Sequence, residues 1–260
     1  MRAFRLTKAQ LAQYHADGFL LVLGLFRPDE AALLQRVARG DQAIAKAGSM
    51  ADSQGGASKI WITTELKDDI YSAFSHNHRV VGPMAQLLGD TPLFFHHKMM
   101  LKEPRVGGAW EWHQDYGYWY HDGFLAPQMA SCMIAVDRAN QANGCLQVLR
   151  GSHALGRIEH GKVGAQTGAD VDRVKAVAAR HELVYVEMEP GTALFFHSNL
   201  LHRSDQNRSE FSRWALICCY TAARNASYRA DERPWCRCRE VTPWPDARIM
   251  ELGAAAAPAA

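Results

Sequence analysis

The chain has 260 residues, of which 48% are hydrophobic and 22% charged, and its formal net charge is +2. This composition is typical of a folded globular protein rather than a disordered or fibrous one, and the length suffices for a large buried core. The small net charge and the absence of charge runs give no reason to expect a nucleic-acid partner. No apolar run approaches the ~20 residues that span a membrane, and the first residues lack the apolar core of a signal peptide, so we expect a cytoplasmic protein without a membrane partner.

The first ninety residues carry mainly helical patterns. Thr7-Lys8-Ala9-Gln10 has the form of a capping box and predicts a helix that ends near Gly18. A buried strand is predicted over 19–23, and Pro28-Asp29-Glu30 opens a second helix that runs to about residue 47. The Gly- and Ser-rich stretch 48–58 predicts a mobile loop, either a cover for substrate or a simple connector. Two short helices are predicted over 68–75 and 77–88.

Strand patterns begin at residue 94. His96 and His97 are successive, so they point to opposite faces of a strand and at most one of them faces a cavity. Neither has a carboxylate at metal-ligand spacing. Lys98 shares a face with His96, and we expect it either to lie on the surface or to meet an acidic group of a bound molecule.

The segment Trp112-His113-Gln114-Asp115-Tyr116 has the pattern of a metal site. On an extended backbone the side chains of His113 and Asp115 point the same way. Two imidazoles and one carboxylate form the facial iron(II) site of non-haem oxygenases. The pair alone also occurs on the solvent face of ordinary strands, so the prediction depends on a third ligand.

The second half of the chain is rich in strand patterns. Strands are predicted over 129–137, 145–149, 183–188, 192–197 and 214–221, with Asn143-Gly144 as a hairpin turn. The long segment 157–181 has a helical pattern at Val171, Val174 and Val177, and either covers the substrate or forms a surface helix. The cysteines are expected to be reduced, and the Cys236-Arg237-Cys238 pair either has no functional role or binds a metal or oxidises.

Two histidines and an arginine near these strands complete the candidate site. His197 ends one strand-like run, His202 follows shortly after it, and Arg213 opens the next run. A planar guanidinium can bind a carboxylate through two parallel hydrogen bonds, which a lysine cannot do. The ordered set of His-x-Asp, a distant His and an Arg, each beside a strand, is far more specific than His-x-Asp alone.

The chain resembles the phytanoyl-CoA dioxygenase family of iron(II)- and 2-oxoglutarate-dependent oxygenases. The resemblance rests on the motif residues above and on the stretch Asn143-Gly144-Cys145-Leu146 with Gly151-Ser152-His153, and it covers roughly residues 6–221. It implies an α+β, mainly β fold, in which helices flank a double-stranded β-helix of the jelly-roll, cupin-like type. We expect one domain over 1–250, with a helical part over about 1–90, a jelly-roll core over about 91–222 and a disordered tail over 251–260.

The resemblance also implies the roles of individual residues. The metal ligands are His113, Asp115 and His202, since His197 stands at the wrong distance from Arg213. The implied contacts to 2-oxoglutarate are Arg213, Ser204, Ser131 and Lys98, and the implied contacts to substrate are Trp119, Tyr116 and Phe196.

The implied activity is hydroxylation of an unactivated C–H bond of a small-molecule metabolite by a monomer or homodimer, with Fe(II), 2-oxoglutarate and O2, and with release of succinate and CO2. Related halogenases lack the carboxylate ligand, so the presence of Asp115 favours hydroxylation, while desaturation and cyclisation stay open. The alternatives are a peptide or protein hydroxylase and a metal-binding jelly roll without catalysis.

Overall fold

The computed structural model describes residues 4–256, and within that range it contains eight α-helices and fourteen β-strands. The helices are α1 (Lys8–Asp17), α2 (Pro28–Gly40), α3 (Gln42–Ala45), α4 (Ile70–Ser75), α5 (His78–Leu88), α6 (Asp115–Trp119), α7 (Val171–Ala178) and α8 (Ala247–Ala256). The strands are β1 (Phe19–Val22), β2 (Gly48–Ala51), β3 (Ala57–Thr63), β4 (Pro92–Lys102), β5 (Trp110–His113), β6 (Met129–Ala135), β7 (Leu146–Leu149), β8 (His160–Val163), β9 (Gln166–Ala169), β10 (Leu183–Val186), β11 (Ala193–His197), β12 (His202–Ser204), β13 (Arg213–Ala222) and β14 (Arg239–Glu240).

Two antiparallel sheets form the centre of the fold. The larger sheet has the order β1-β11-β6-β13-β4-β3-β2, with β14 paired to β4, and the smaller sheet has the order β10-β7-β12-β5. Apart from the consecutive strands β2, β3 and β4, neighbours in both sheets come from distant parts of the chain, as in jelly rolls, where strands cross between two packed sheets. The expected α+β jelly roll with flanking helices is confirmed. No helix in the part of the chain described here is both long and apolar enough to cross a bilayer.

Strand β6 shows that the centre of the large sheet is buried on both faces. All seven of its residues are buried, and they alternate between two cores as the period of a strand requires. Cys132 and Ile134 pack against the helices, whereas Met129 and Met133 face the small sheet. The core on that second side surrounds the candidate site.

The helical prediction for the N-terminal part is confirmed. Thr7 caps α1 through a reciprocal capping box with Gln10, and Gly18 ends the helix with φ of +82°. Pro28 opens α2 as expected, but the helix breaks at Asp41, whose side chain caps the short α3 by accepting from the Ala43 N–H. Helices α4 and α5 lie where two short helices were predicted.

Two predictions of irregular structure were wrong. Residues 48–58 do not form a mobile loop but the hairpin of β2 and β3, which β4 continues into the large sheet. Asp52 holds its turn, since Oδ1 accepts from the Gln54 and Gly56 N–H groups. Residues 251–256 belong to α8, where Ile249 and Gly253 are buried against the N-terminal helices, and residues 257–260 of the predicted tail lie outside the described range.

The segment 157–181 combines a hairpin with a helix. Strands β8 and β9 pair with each other and β9 packs beside β5, which ends at His113, the first residue of the His-x-Asp motif. The helical pattern at Val171, Val174 and Val177 is confirmed by α7, in which Val174 and Val177 are buried.

Candidate metal and cosubstrate site

The two predicted histidine ligands are direct cross-strand neighbours. Strand β12 pairs antiparallel with β5, and this register places His202 opposite His113, with ring centroids 4.0 Å apart. Gln114 has an extended backbone, with φ of −114° and ψ of 135°, so Asp115 projects to the same side as His113. One ligand atom from each of His113, Asp115 and His202 lies within 4.8 Å of the others. Pairing between distant strands therefore brings the three residues together.

Both imidazoles are oriented by backbone carbonyls. The Nδ1 atom of His113 lies 2.7 Å from the Glu111 carbonyl oxygen, and Nδ1 of His202 lies 2.9 Å from that of Leu200. A carbonyl only accepts, so Nδ1 carries the proton in each ring and Nε2 keeps its lone pair. Such outer hydrogen bonds are the usual way in which proteins fix the ring and tautomer of a metal-binding histidine.

The electrostatics of His113, Asp115 and His202 favour the protonation states that bind a metal ion. Burial lowers the pKa of His202 and, together with the neighbouring His202, holds the pKa of His113 well below its ordinary value, so both rings are neutral at pH 7. Burial opposes ionisation of Asp115, but the charge of Lys98 outweighs it and lowers the pKa of Asp115, with a further contribution from the Ser131 hydrogen bond. The carboxylate is thus ionised without a proton to displace.

Two predicted cosubstrate contacts lie beside Asp115. The Ser131 hydroxyl donates to Asp115 Oδ2 over 3.0 Å, so its hydrogen bond supports the carboxylate rather than reaching into the cavity. The Lys98 Nζ atom lies 3.7 Å from Asp115 Oδ1 and lines the cavity. Burial alone would lower the pKa of Lys98, but the Asp115 carboxylate raises it above its ordinary value.

A cavity of about 70 Å³ opens in front of the trio. Ser204 and Arg213, two of the residues predicted to contact the cosubstrate, line it, and Phe196 forms part of its apolar wall. The Arg213 side chain is buried, with 3% of its surface exposed, and Nη2 and Nε donate to the Gly144 carbonyl oxygen over 2.8 and 3.2 Å. Among residues 4–256 it forms no ion pair, and burial lowers its pKa to about 10.

The Asn143-Gly144 turn explains part of the stretch, residues 143–153, on which the family resemblance rests. Gly144 has φ of +75°, and a Cβ added there would lie 2.3 Å from the Asp205 carbonyl oxygen, so only glycine fits. Its own carbonyl oxygen holds Arg213. Further along the same stretch, the Ser152 hydroxyl accepts from the Leu201 N–H over 2.9 Å, next to His202. These residues position the site without contacting the cavity.

The predicted substrate contacts separate into three environments. Phe196 faces the metal ligands, with its ring centroid 5.1 Å from that of His202. Trp119 instead lines a second cleft of about 550 Å³, together with His96 and Tyr118, and Tyr118 also lines the metal cavity. Tyr116 lines neither space, because it is buried in the core and its hydroxyl donates to the Phe124 carbonyl. Its prediction as a substrate contact is not supported by this position.

The remaining histidines lie apart from the trio. His96 faces the second cleft, and its Nε2 is buried without a hydrogen-bond partner in the structure. His97 points to the opposite face of β4, into the apolar core beside Trp61 and Phe94. His197 lies at the end of β11, where Nδ1 accepts from the Asn199 N–H, and it is not a third ligand in this geometry.

Sequence reasoning missed two residues near the site. Lys102 is fully buried opposite Arg213 in the β4–β13 register, and its Nζ donates to the carbonyls of Ser204 and Asp205. Burial, followed by the Arg213 charge, holds the pKa of Lys102 well below its ordinary value. The alternation along β4, which places Lys102 on the same face as Lys98, was the available signal. The second missed residue is Gln114, for whose side chain no pattern in the sequence predicts a role.

The donor set fits a divalent transition-metal ion. Neutral imidazole suits iron and its neighbours in the first row, and the carboxylate adds a hard anionic ligand. The three donors approach from one side, where they leave the opposite side open toward the cavity with Arg213. That arrangement matches the facial triad of non-haem iron(II) oxygenases rather than a closed structural site.

Comparison with known proteins places this geometry in context. A family model described as Phytanoyl-CoA dioxygenase (PhyH) matches residues 14–215. L-Proline trans-4-hydroxylase from Streptomyces griseoviridis is 28% identical over 194 residues, which cover 68% of this chain and 72% of that protein. Ectoine dioxygenase from Streptomyces avermitilis is 26% identical over 246 residues, which cover 88% and 83%.

Solved structures show the same fold. The crystal structure of EctD from S. alaskensis with 2-oxoglutarate and 5-hydroxyectoine has a TM-score of 0.76 and 22% identity, with coverage of 92% of this chain and 88% of that one. The epimerase SnoN, in complex with Fe3+, alpha ketoglutarate and nogalamycin RO, has a TM-score of 0.71 and 20% identity, with coverage of 85% of each chain. At these identities the likeness concerns the fold, and the two titles name different reactions on it.

Proposed function

The chain belongs to the phytanoyl-CoA dioxygenase (PhyH) family, and from this premise we propose that it hydroxylates an unactivated C–H bond of a small-molecule metabolite. It is a 2-oxoglutarate-dependent non-haem iron dioxygenase. In the proposed reaction, substrate C–H, O2 and 2-oxoglutarate give substrate C–OH, succinate and CO2. One oxygen atom enters the alcohol and the other enters succinate. The two electrons needed to balance the second oxygen atom come from the decarboxylation.

The proposal rests on the combination of the ligand trio with the Arg213 guanidinium. A buried trio of two neutral imidazoles and one ionised carboxylate shares a cavity with a buried guanidinium that has no carboxylate partner among the described residues. A buried cation without a counter-ion is costly, so a site of this kind favours an anionic ligand. A dicarboxylate that reaches from the trio to Arg213 supplies that charge.

Each residue of the site has a separate role in the proposed reaction. His113, Asp115 and His202 hold Fe(II), which when bound supplies the activation of O2 that no protein side chain can provide. Arg213 receives the far carboxylate of 2-oxoglutarate, with Ser204 beside it. Ser131 and Lys98 keep Asp115 ionised and oriented, and Lys98 is also placed to meet a carboxylate that enters the cavity.

The substrate is proposed to approach through the second cleft. Trp119 and His96 line it, and Tyr118 separates it from the metal cavity. Apolar side chains, including Phe196 and Met133, form much of the inner wall and would keep bulk water from the reacting atoms. The small volume of the metal cavity supports a small molecule over the alternative of a peptide, which needs a long open groove.

The decisive experiment measures turnover with a matched control. Purified protein with Fe(II), ascorbate and 2-oxoglutarate is screened against amino acids and related metabolites, including L-proline and ectoine, and succinate and O2 consumption are measured. We expect a substrate to stimulate succinate formation in the unmodified protein and not in Asp115→Ala. If no compound stimulates succinate formation and Co(II), used as a metal probe, binds Asp115→Ala as well as the unmodified protein, the proposal is wrong.

A further inference from the structure

We propose that Gln114, the residue between two of the metal ligands, is a positioning residue that fixes all three ligands relative to one another. The inference rests on the proposed function, since it concerns the same metal site. Gln114 does not face the cavity: on its extended backbone the side chain points away from His113 and Asp115. It is fully buried on the other side of the strand.

The amide of Gln114 connects two segments that are distant in the chain. Its Nε2 donates to the carbonyl oxygens of Asn199 and Gly156 over 2.7 and 2.8 Å, and its Oε1 accepts from the Ile158 N–H over 2.7 Å. These bonds use both donors and one acceptor position of the amide. No hydrophobic side chain of similar length can replace them.

The bond to Asn199 links the two parts of the ligand set. Asn199 belongs to the connection between β11 and β12, and the next residue, Leu200, provides the carbonyl that orients the His202 ring. On the other side of Asp115, the Tyr116 N–H donates to the Ser198 carbonyl over 2.9 Å. Asp115 is therefore flanked by two hydrogen bonds to the connection that carries the third ligand.

The bonds to Gly156 and Ile158 join the site to the β8–β9 hairpin. His160 follows directly, and its Nε2 accepts from the Gln114 backbone N–H over 2.9 Å while Nδ1 donates to the Ile158 carbonyl over 2.8 Å. The His160 ring lies against Gly117, where an added Cβ would come within 2.1 Å of the ring. The hairpin and the ligand-bearing segment are thus held in one arrangement through Gln114.

A second buried glutamine provides the matched control. Gln166 on β9 is 5% exposed and also makes three amide bonds to backbone groups: Nε2 donates to Ala51 and Ala109, and Oε1 accepts from the Glu111 N–H. Its bonds attach the hairpin to the fold but do not reach the connection before His202. Gln114→Met and Gln166→Met therefore remove equal numbers of hydrogen bonds and differ in which segments they release.

The test measures Co(II) binding to the full chain by calorimetry and by ligand-field absorption, which reports the number and arrangement of ligands. We expect Gln114→Met to raise the Co(II) dissociation constant by about 10- to 100-fold, the usual effect of losing an outer-shell partner, and to change the absorption bands. Gln166→Met should lower the thermal midpoint by a similar amount and weaken Co(II) binding less than Gln114→Met does, because its bond to the Glu111 N–H reaches only the segment before His113 and not the connection before His202.

Three results would overturn the proposal: unchanged Co(II) binding in Gln114→Met, equal weakening in Gln166→Met, or unchanged absorption bands. If Gln114→Met does not fold, the pair Gln114→Asn and Gln166→Asn decides in the same way, because asparagine keeps the amide but is one methylene too short to reach both segments. A failure of the proposed function is distinguishable, since it appears as Co(II) binding that survives in Asp115→Ala.

Discussion

Replacement of Arg213 gives the sharpest test of the cosubstrate assignment. In Arg213→Met the cavity loses a guanidinium that is 97% buried and already held in place by the Gly144 carbonyl. Truncating one partner of a buried, hydrogen-bonded charge pair costs about 2–5 kcal/mol. Since each 1.4 kcal/mol corresponds to a factor of ten, the KM for 2-oxoglutarate should rise about 30-fold or more.

The assay is succinate formation at varied 2-oxoglutarate and saturating Fe(II). We expect kcat to change less than KM, because the far carboxylate does not react and contributes equally before and during the chemical step. Arg203→Met is the control, since Arg203 lines the same cavity but donates to Gln147 and lies over the Trp112 ring. The assignment fails if Arg203→Met raises KM as much, or if Arg213→Met lowers kcat with no change in KM.

Three further predictions concern charge and burial. Asp115→Ala should abolish both succinate formation and tight Co(II) binding. If a folded variant retains either the reaction or the tight binding, the ligand assignment is wrong. Lys98→Met should strengthen Co(II) binding by about tenfold, because it removes a cation 3.7 Å from Asp115 that competes with the metal for the carboxylate; unchanged or weaker binding, by calorimetry, contradicts this. Burial lowers the pKa of His97 to about 3 from the ordinary 6.5, so below pH 6.5 the unfolded chain binds a proton there that the native chain does not. The contribution of His97 to the free energy of unfolding is therefore complete above pH 6.5 and falls by about 1.4 kcal/mol per pH unit below it. In urea titrations, the loss of unfolding free energy between pH 7.5 and pH 5.0 should be about 2 kcal/mol smaller in His97→Leu than in the unmodified protein. An equal loss in the two proteins would count against the reasoning.

The His113–Asp115 pair and several helix and strand boundaries could be predicted from regular features of the sequence, whereas the jelly-roll topology and the choice of His202 came from the family resemblance. Period-2 alternation puts His113 and Asp115 on one side of a strand whatever surrounds it. The capping box at Thr7 and the Asn143-Gly144 turn likewise act through local geometry. These signals need no knowledge of the tertiary contacts.

The errors arose where tertiary contacts decide. The stretch 48–58 has the composition of a loop, but Asp52 accepts four hydrogen bonds, two from within its turn and two from Ala109 and Gln206, and these stabilise a hairpin. Tyr116 stands beside a ligand in the sequence, yet the first turn of α6 rotates it into the core. An aromatic residue next to a ligand can line the cavity or pack behind it, and sequence alone does not distinguish the two.

The same limit explains the missed residues. Gln114 acts only through the carbonyls of Gly156 and Asn199, which the chain brings near it from two other segments. Ser131 was expected at the cosubstrate, and its hydroxyl instead serves Asp115 from the neighbouring sheet. Roles that depend on a partner from another segment have no pattern of their own in the sequence.

The position of β12 has a consequence for the order of assembly. This strand lies between β7 and β5 in the small sheet, and it carries His202, the third of the proposed ligands. A nascent chain that has left the ribosome only as far as β10 holds His113 at the end of β5, whose partner strand β12 has not yet been made, and Asp115 two residues further on. The proposed ligand set for iron is therefore complete only late in biosynthesis, after β12, residues 202–204 of 260, has been made and has entered the sheet.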